Sequence, residues 1–514
     1  MAAPRSSIER EVKLGAWAGF TLPDLNGVAE GITAVERPER ALRAVYHDTA
    51  DLRLARWGVT LRHRTGQGSG WTVKLPEGEE GPALVRREVN RDGAPGKVPP
   101  AANDLVRAYV RNAPLVAVAQ MRTRRRAVEL LDAEGQAVAE VVDDEVSVLH
   151  GGRVAARFRE VEVEVTDRAG SEVLDAVIAR LREVGAGQPD PTPKLVRALG
   201  ARALGPPELA PVPLDDSASM ADVVRAAIVN STTRILRHDP GIRIGDDPED
   251  VHQARVGTRR LRSDLRTFAP VLVEEWLQPL RDELRWLAGA LGAVRDADVL
   301  AERLRRQADA LPARDASGLA PLFRKLAAER ERAGEGLIAA LSGARYVALL
   351  DRLVIAAQPQ SHSGIHDASV EMFRPEAGQA AVELLPELVS RPWRHVKKAV
   401  GELDANSPPE ALHEVRIRVK RARYAAEAAA PVIGKKARGF GKALADAQGV
   451  LGDYQDAMVA EKWLRGAIVR AGAVQAMAAG ELIAVQRAEA VACREEWPAA
   501  WRQLDRKKLR SWLA

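Results

Sequence analysis

The sequence predicts an α+β chain made of two unlike parts, a β domain followed by an all-helical one. Three observations predict it. Before Arg197, apolar and polar residues alternate in short runs such as "IEREVKL", "GVTLRHR", "WTVKLP", "AVAEVVDDEV" and "FREVEVEVTD", the period of two that strands need. A stretch with four prolines, "RALGARALGPPELAPVPLDDSASM" from Arg197, then interrupts the pattern as an interdomain linker would. After Met220 the residues turn to Ala, Leu and Arg with helical periodicity, and they contain an internal repeat. His252 recurs as His413 at an offset of 161, and "LGAVRDADVL" from Leu291 recurs as "LGDYQDAMVA" from Leu451 at an offset of 160.

Bulk properties narrow the classes. At 514 residues the chain exceeds what one hydrophobic core supports. Its 46% apolar and 29% charged residues fit a globular protein rather than a disordered one. The formal net charge is only +5, so any anion site must come from local clustering. Cys493 is the single cysteine, which excludes an internal disulfide framework and points to a reducing cytoplasm. The N-terminal "MAAPRSSIEREVKLGAW" lacks the apolar core of a signal peptide. No run reaches about 18 uninterrupted apolar residues, so no membrane span is expected.

Taken in order, the strands gather like charges. Residues two apart on a strand share a face. "IEREVKL" therefore puts Glu9, Glu11 and Lys13 together, "TLRHR" aligns Thr60, Arg62 and Arg64, and "TVK" pairs Thr72 with Lys74. "FREVEVEV" aligns Glu160, Glu162 and Glu164, with Val161, Val163 and Val165 opposite. Two interruptions, "NDLVRAYVRN" and "SEVLDAVIARLREVG", read as helices. Strand by strand, an ordinary amphipathic sheet explains this equally well, with charges in water and valines in a core. Sorting by sign changes that. Like charges side by side destabilise a sheet unless something neutralises them. A closed barrel with a polar lumen resolves the conflict if divalent cations bridge the carboxylates and phosphates meet the cations. Carboxylate oxygens suit Mg2+ or Mn2+, while Arg and Lys suit phosphate oxygens. No Cys/His set has zinc spacing, no GxxxxGK[ST] loop occurs, and no Ser/His/Asp set is legible.

"EREVK", of the form ExExK, followed in order by "YHDTADLRLARWGVTLRHR", "WTVKLP" and "FREVEVEV", resembles the CYTH family, the triphosphate tunnel metalloenzymes, over roughly residues 6–200. The resemblance implies an eight-stranded antiparallel β tunnel that hydrolyses or rearranges triphosphates with a divalent metal. It implies Glu9, Glu11 and Lys13 as catalytic residues, and Glu9, Glu11, Asp144, Glu160 and Glu162 as metal ligands. Arg62, Arg64, Lys74, Arg86, Arg124 and Lys194 would bind substrate, with Lys194 in "PTPKLVRAL" on a helix that plugs the tunnel. The blocks that contain Asp144, Arg86 and Arg124 ("EVVDDEV", "LVRREV" and "MRTRRR") also allow neighbouring registers. Lys13 would either orient the attacking water or grip phosphate.

The helical part carries a repeated cationic stripe. At about 100° per residue, His252, Arg255, Arg259, Arg262 and Arg266 fall within an arc of roughly 80°. His413, Arg416, Lys420 and Arg423 occupy the same arc in the second copy. Apolar faces adjoin both: Val251, Ala254, Leu261, Leu265 and Phe268 in the first, and Leu412, Val415, Val419, Ala422 and Ala426 in the second. Like-charge pairs at i,i+3 and i,i+4 each cost about 0.2–0.5 kcal/mol. Either Asp296, Asp298 and Asp456 neutralise the stripes, or an anion fills them, and a long anion accounts for two stripes facing each other. The copies differ where Lys420 stands for Arg259 and Glu427 for Arg266. The repeated HxxRVxxRRxR-like segment resembles the CHAD family, the conserved-histidine α-helical domains, over roughly residues 218–514. That resemblance implies two pseudo-symmetric four-helix bundles around a basic channel that binds inorganic polyphosphate. The histidines read as phosphate or carboxylate partners rather than metal ligands. No aromatic stacking pattern accompanies the stripes, so nucleic acid is not the expected partner.

The expected layout is a tunnel domain over residues 1–202, a Pro-rich linker over 203–217 and a helical domain over 218–514. The helical repeats span about 218–357 and 371–514, joined by "AAQPQSHSGIHDAS" near Gln358. The expected function is Mg2+- or Mn2+-dependent hydrolysis of inorganic triphosphate or short polyphosphate in the tunnel, with polyphosphate held by the helices. A cytoplasmic location, with association with polyphosphate granules, goes with it. Two alternatives stay open: a tunnel enzyme for nucleoside or thiamine triphosphate or for adenylate cyclisation, and a non-catalytic polyphosphate-binding or granule-targeting protein. Nothing in the sequence sets an oligomeric state.

Overall fold

The computed structural model describes residues 5–66, 69–81, 83–358, 371–404, 407–469 and 471–513, in two compact units, Met1–Glu208 and Leu209–Ala514. The segment expected to join the helical repeats lies, from residue 359 onward, outside the described residues. Among the described residues no helix is long and apolar enough to cross a membrane.

In the first unit the alternating runs become β1 (Arg5–Ala16), β2 (Thr33–Asp48), β3 (Thr60–Thr65), β4 (Gly70–Glu80), β5 (Ala83–Arg91), β6 (Val116–Leu131), β7 (Ala137–His150) and β8 (Arg153–Val165). They close into one antiparallel barrel in the order β1-β5-β4-β3-β2-β6-β7-β8. Four helices accompany them: α1 (Arg53–Arg56), α2 (Pro100–Val110), α3 (Ser171–Glu183) and α4 (Lys194–Leu199).

Register fixes which face each residue takes. Lys13 lies opposite Glu162 and Glu11 opposite Glu164 across β1 and β8. Asp144 lies opposite Glu160 across β7 and β8. The valines of the same strands point the other way. Val12, Val161 and Val163 join Leu14, Phe20, Leu25, Val177 and Leu181 in a buried cluster under α3, outside the barrel wall. The apolar core thus wraps part of the barrel instead of filling it. At about 1.5–3 kcal/mol for each fully buried Val or Leu, this outer core offsets the cost of enclosing charged groups in the lumen. On α4, Leu195 packs with Tyr46, Met121 and Val146. That contact seats Lys194 in the lumen.

Residues 203–208, expected as linker, are bound to the barrel. Ala203 packs in the same cluster as Tyr46. Arg56 Nε donates to the Pro206 carbonyl at 2.6 Å, and Arg111 holds Glu208 through two nitrogens at 2.5 and 2.7 Å. The barrel unit accordingly ends at Glu208 rather than residue 202.

The second unit is helical: α5 (Met220–Ile244), α6 (Pro248–Thr267), α7 (Glu274–Ala308), α8 (Ala313–Ala316), α9 (Ala320–Ser342), α10 (Ala344–Ala357), α11 (Ala381–Gly401), α12 (Pro409–Ile433), α13 (Lys435–Ala467) and α14 (Ala473–Leu504). The repeat offset of 161 carries the starts of α5 and α6 onto those of α11 and α12. Helix α10, packed on α5, has no counterpart in the second half among the described residues. Local signals set the helix starts. Ser219 and Asp222 form a reciprocal capping box on α5, and Asp247 caps α6, followed by Pro248 at its first position. Both expected apolar faces are buried, from Val251 to Phe268 in one copy and from Leu412 to Ala426 in the other. Gly257 lets α6 press on α5, since a Cβ there would meet the Ser231 carbonyl at 2.9 Å. The halves share a core in which Leu300 and Leu304 of α7 and Leu322 of α9 meet Leu464 of α13 and Leu482 of α14.

Candidate functional site

The barrel lumen is a two-signed cavity. Seven cationic and five carboxylate side chains line it, and Tyr46 supplies the one aromatic ring among the described lining residues. Glu9, Glu11, Lys13, Lys74, Arg86, Asp144, Glu160 and Glu162 are all buried, and Arg62, Arg64 and Lys194 face the same space. Every tunnel residue expected from the sequence except Arg124 is therefore brought to this lumen or its buried wall. Arg124 is the correction. Its side chain is exposed on the outer face and pairs with Glu39 at 3.1 Å. Its neighbour Arg125 points inward and clasps Asp144 at 2.8 and 2.6 Å.

The charges neutralise one another. Lys194 Nζ sits 2.9 Å from Asp144, 2.7 Å from Glu160 and 2.7 Å from Glu162. Lys13 Nζ lies 2.5 Å from Glu162 and 3.2 Å from Glu11. Lys74 donates to Glu9 Oε1 at 2.6 Å and lies 3.3 Å from Glu88. Burial opposes the charge on Glu162, Lys194, Lys13 and Glu88, and their partners outweigh it. Glu162 is held well below the usual carboxylate range by Lys13, Lys194 and Arg125. Lys194 is raised well above the ordinary lysine range by Asp144, Glu162 and Glu160. Glu88, despite burial, is drawn down to about 2 by Lys74 and Arg62. Glu164 is the exception. Burial, reinforced by Glu9, pushes it up to about 7.

Sequence reasoning missed Tyr46, Glu88, Arg125 and Glu140 in the lining. Glu88 was within reach, because it stands two residues after Arg86 on the same face of β5.

The lumen's acids suit a divalent cation in kind, being carboxylate oxygens alone. Glu11 Oε1 and both oxygens of Glu160 are buried and held by ion pairs alone, to Lys13 at 3.2 Å, Lys194 at 2.7 Å and Arg197 at 3.3 Å, so a cation there would take the place of these ammonium and guanidinium groups. Among the described residues no three acids or histidines are drawn together as a bound ion would draw them. Asp144, Glu160 and Glu162 are gathered around the ammonium of Lys194 instead.

The helical unit holds a second site of one sign. Arg255, Arg259 and Arg262 of α6, Arg285 of α7, and Arg416 and Lys420 of α12 line one groove. Five of these six were expected from the stripe, and Arg285 was not, because it lies on the neighbouring helix. Acids answer part of this charge, at Arg255, Arg285 and Arg416, the Arg285 partner being Asp282 at 2.7 Å. Arg255 donates to Asp296 at 2.7 Å, and Asp456 acts on Arg416. Asp298, expected to neutralise the stripe, pairs instead with Arg330 at 3.1 Å. Burial, then Arg259, Arg416, Arg255 and Arg421, push Lys420 down to about 7.

Four expected stripe residues lie outside the groove lining. Burial, then Arg295, lowers the His252 imidazole, and His413 Nδ1 is in hydrogen-bond contact with Gln455 Oε1 at 2.7 Å. Arg266 stands among Arg421, Arg281, Arg262 and Arg285. Arg423 turns to Glu427 at 2.6 Å, because the second repeat has an acid where the first has Arg266.

Comparison with known proteins places both halves. The profile of the CYTH domain matches residues 7–194 and that of the CHAD domain residues 226–465. An uncharacterized protein of Mycobacterium tuberculosis is 32% identical over an alignment of 532 residues, covering 98% of this chain and 97% of its own. Among solved structures, the CHAD domain from the plant Ricinus communis is similar at 26% identity and a TM-score of 0.45, covering 57% of this chain and 96% of its own. A putative adenylate cyclase from Bacillus halodurans is similar at 19% identity and a TM-score of 0.25, covering 37% of this chain and 97% of its own.

Proposed function

Because the chain belongs to the proteins that join a CYTH domain to a CHAD domain, we propose that its tunnel hydrolyses inorganic triphosphate or short polyphosphate with Mg2+ or Mn2+ and that its helical groove binds inorganic polyphosphate. CYTH domains include triphosphatases and cyclases acting on triphosphates, generally with divalent metal ions. The observation that carries the reading here is the two-signed lumen. Arg62, Arg64, Lys74, Arg86 and Arg125 offer donors to phosphate oxygens, while Glu9, Glu11, Asp144, Glu160 and Glu162 offer oxygens to a cation. The near absence of aromatic surface favours an inorganic substrate over a nucleotide, whose base would need a stacking or apolar pocket.

In the reaction, water attacks the terminal phosphorus, the bond to the bridging oxygen breaks, and phosphate leaves diphosphate behind. The chain's cations hold the phosphates in line and neutralise charge that builds on the bridging oxygen. A bound divalent ion would polarise the phosphoryl oxygens and lower the cost of bringing water to them. Lys13, buried between Glu11 and Glu162, stays charged and orients either water or phosphate.

The test is phosphate release from inorganic triphosphate with and without Mg2+ or Mn2+. Glu9→Gln and Glu11→Gln are each expected to lower it about 10²-fold or more. Wild-type protein that releases no phosphate with any divalent ion would leave the tunnel an anion-binding site only.

A further inference from the structure

The two repeats carry different charges at matching ends of their stripes. The offset that takes His252 to His413 takes Arg262 to Arg423 and Arg266 to Glu427. The offset that takes Leu291 to Leu451 takes Arg281 to Gly441 and Arg285 to Ala445. Four arginines at one end thus face one arginine and one glutamate at the other.

At the first-repeat end the cations crowd one another. After burial, the groups acting most on Arg262 are Arg285, Arg259 and Arg281, and those on Arg266 are Arg421, Arg281, Arg262 and Arg285. Asp282 is the acid beside them, and it is taken by Arg285 at 2.7 Å. This end repels itself when empty.

At the second-repeat end Glu427 satisfies the cations. It accepts from Arg423 Nε at 2.6 Å and, across to the first repeat, from Arg260 Nη1 at 2.5 Å. Arg260 also lies 3.8 Å from the buried Asp264. A phosphate arriving here would meet a carboxylate and would have to take two guanidiniums from it.

We infer that the groove holds a phosphate chain off-centre, gripped by Arg262 and Arg285 of its lining, running on past them to Arg266 and Arg281, and barred by Glu427 from the matching end of the second repeat. The inference rests on the reading of the groove as a polyphosphate site. It makes Glu427 a specificity-determining residue, one that sets where the chain lies.

Arg262 and Arg423 occupy equivalent positions, so they provide the test. Long-chain polyphosphate is titrated into the full chain with EDTA present, which keeps the tunnel from consuming it. The Arg255→Glu, Arg416→Glu double variant supplies the level of binding the groove does not account for, and circular dichroism checks that each variant keeps its helicity. Arg262→Ala is expected to weaken binding about tenfold, while Arg423→Ala changes it by less than about twofold. Glu427→Gln is expected to tighten binding about threefold and to steepen its decline with salt, since two freed guanidiniums then meet phosphate. Equal losses for Arg262→Ala and Arg423→Ala, or no gain from Glu427→Gln, overturn the inference while leaving the groove a polyphosphate site. Equal binding by wild type and the double variant removes that reading itself.

Discussion

Tunnel and groove both collect cations, and they balance them in opposite ways. In the tunnel each lysine has buried carboxylates as partners, three of them around Lys194 alone. In the groove every charged lining residue is positive, and the acids that reach it are few. A self-neutralised site is stable when empty and must exchange internal pairs for a new cation and anion. A one-signed site is strained when empty and is stabilised by any polyanion long enough to span it. The first arrangement suits turnover, and the second suits retention.

The largest effect should come from removing the tunnel's internal counter-ion. Lys194→Ala leaves Asp144, Glu160 and Glu162 facing one another with fewer cations among them. Breaking one partner out of a buried ion cluster costs about 3–5 kcal/mol. Thermal unfolding should therefore show a much less stable barrel. Mg2+ or Mn2+ should restore more of the loss in the variant than it adds to wild type, because the ion then replaces the ammonium. A variant as stable as wild type would show that Lys194 does not hold the carboxylates together.

A smaller effect, of opposite kind, is expected in the groove. Polyphosphate should stabilise the helical unit of wild type by about 2.7 kcal/mol at a free concentration one hundred times Kd. It should leave the Arg255→Glu, Arg416→Glu double variant unchanged in melting temperature. The stabilisation should fade as salt rises. Stabilisation that survives in the double variant would place the bound chain elsewhere.

This contrast also explains what could be read in the sequence. The tunnel's walls were legible because "IEREVKL" and "FREVEVEV" alternate with only Arg10, Phe158 and Arg159 out of step, and the pleat turns that alternation directly into two faces. Strand β6 was not. In "MRTRRRAVELL" the even positions carry Arg122, Arg124 and Arg126, exposed or half-buried, and then Val128 and Leu130, which are buried in the outer core. One face of the strand passes from solvent to apolar cover, so hydrophobicity alone gives no consistent parity. Only the barrel's register shows that Arg125 is the inward arginine. Beside it, "VVDDEV" hides the same problem. Asp143 pairs outward with Arg159 at 2.7 Å, and Asp144 turns inward to Arg125 at 2.8 Å. In the groove the stripe itself was legible from its helical spacing, whereas Arg285 was not, because it arrives from another helix and only tertiary packing brings it there. Glu427 was visible as a departure from the repeat, but its capture of Arg260 from the other half needed coordinates.

The finest test of the contrast is pH, and it turns on Lys420. Burial, followed by Arg259, Arg416, Arg255 and Arg421, lowers this lysine to about 7, against about 10.4 for a free one. The folded chain therefore binds fewer protons than the unfolded chain between those values. It follows that the penalty for charging Lys420 is fully present below about pH 7 and disappears as pH rises toward 10, so the empty groove gains stability in that direction. Binding runs the other way. A polyanion favours the charged ammonium, so binding takes up a proton near neutrality and affinity falls as pH rises through 7. Wild type should bind polyphosphate several-fold more tightly, about threefold to tenfold, at pH 6 than at pH 8.5. Lys420→Arg, charged throughout, should lose most of that slope in both binding and thermal stability. Equal slopes in the two proteins would move the effect to the other titrating neighbours, His252 and Asp456, whose ordinary ranges burial also shifts. The tunnel's lysines offer the contrast within the same molecule. Lys13 and Lys194 are raised by their carboxylates rather than lowered by arginines, so neither gives up its proton across this range.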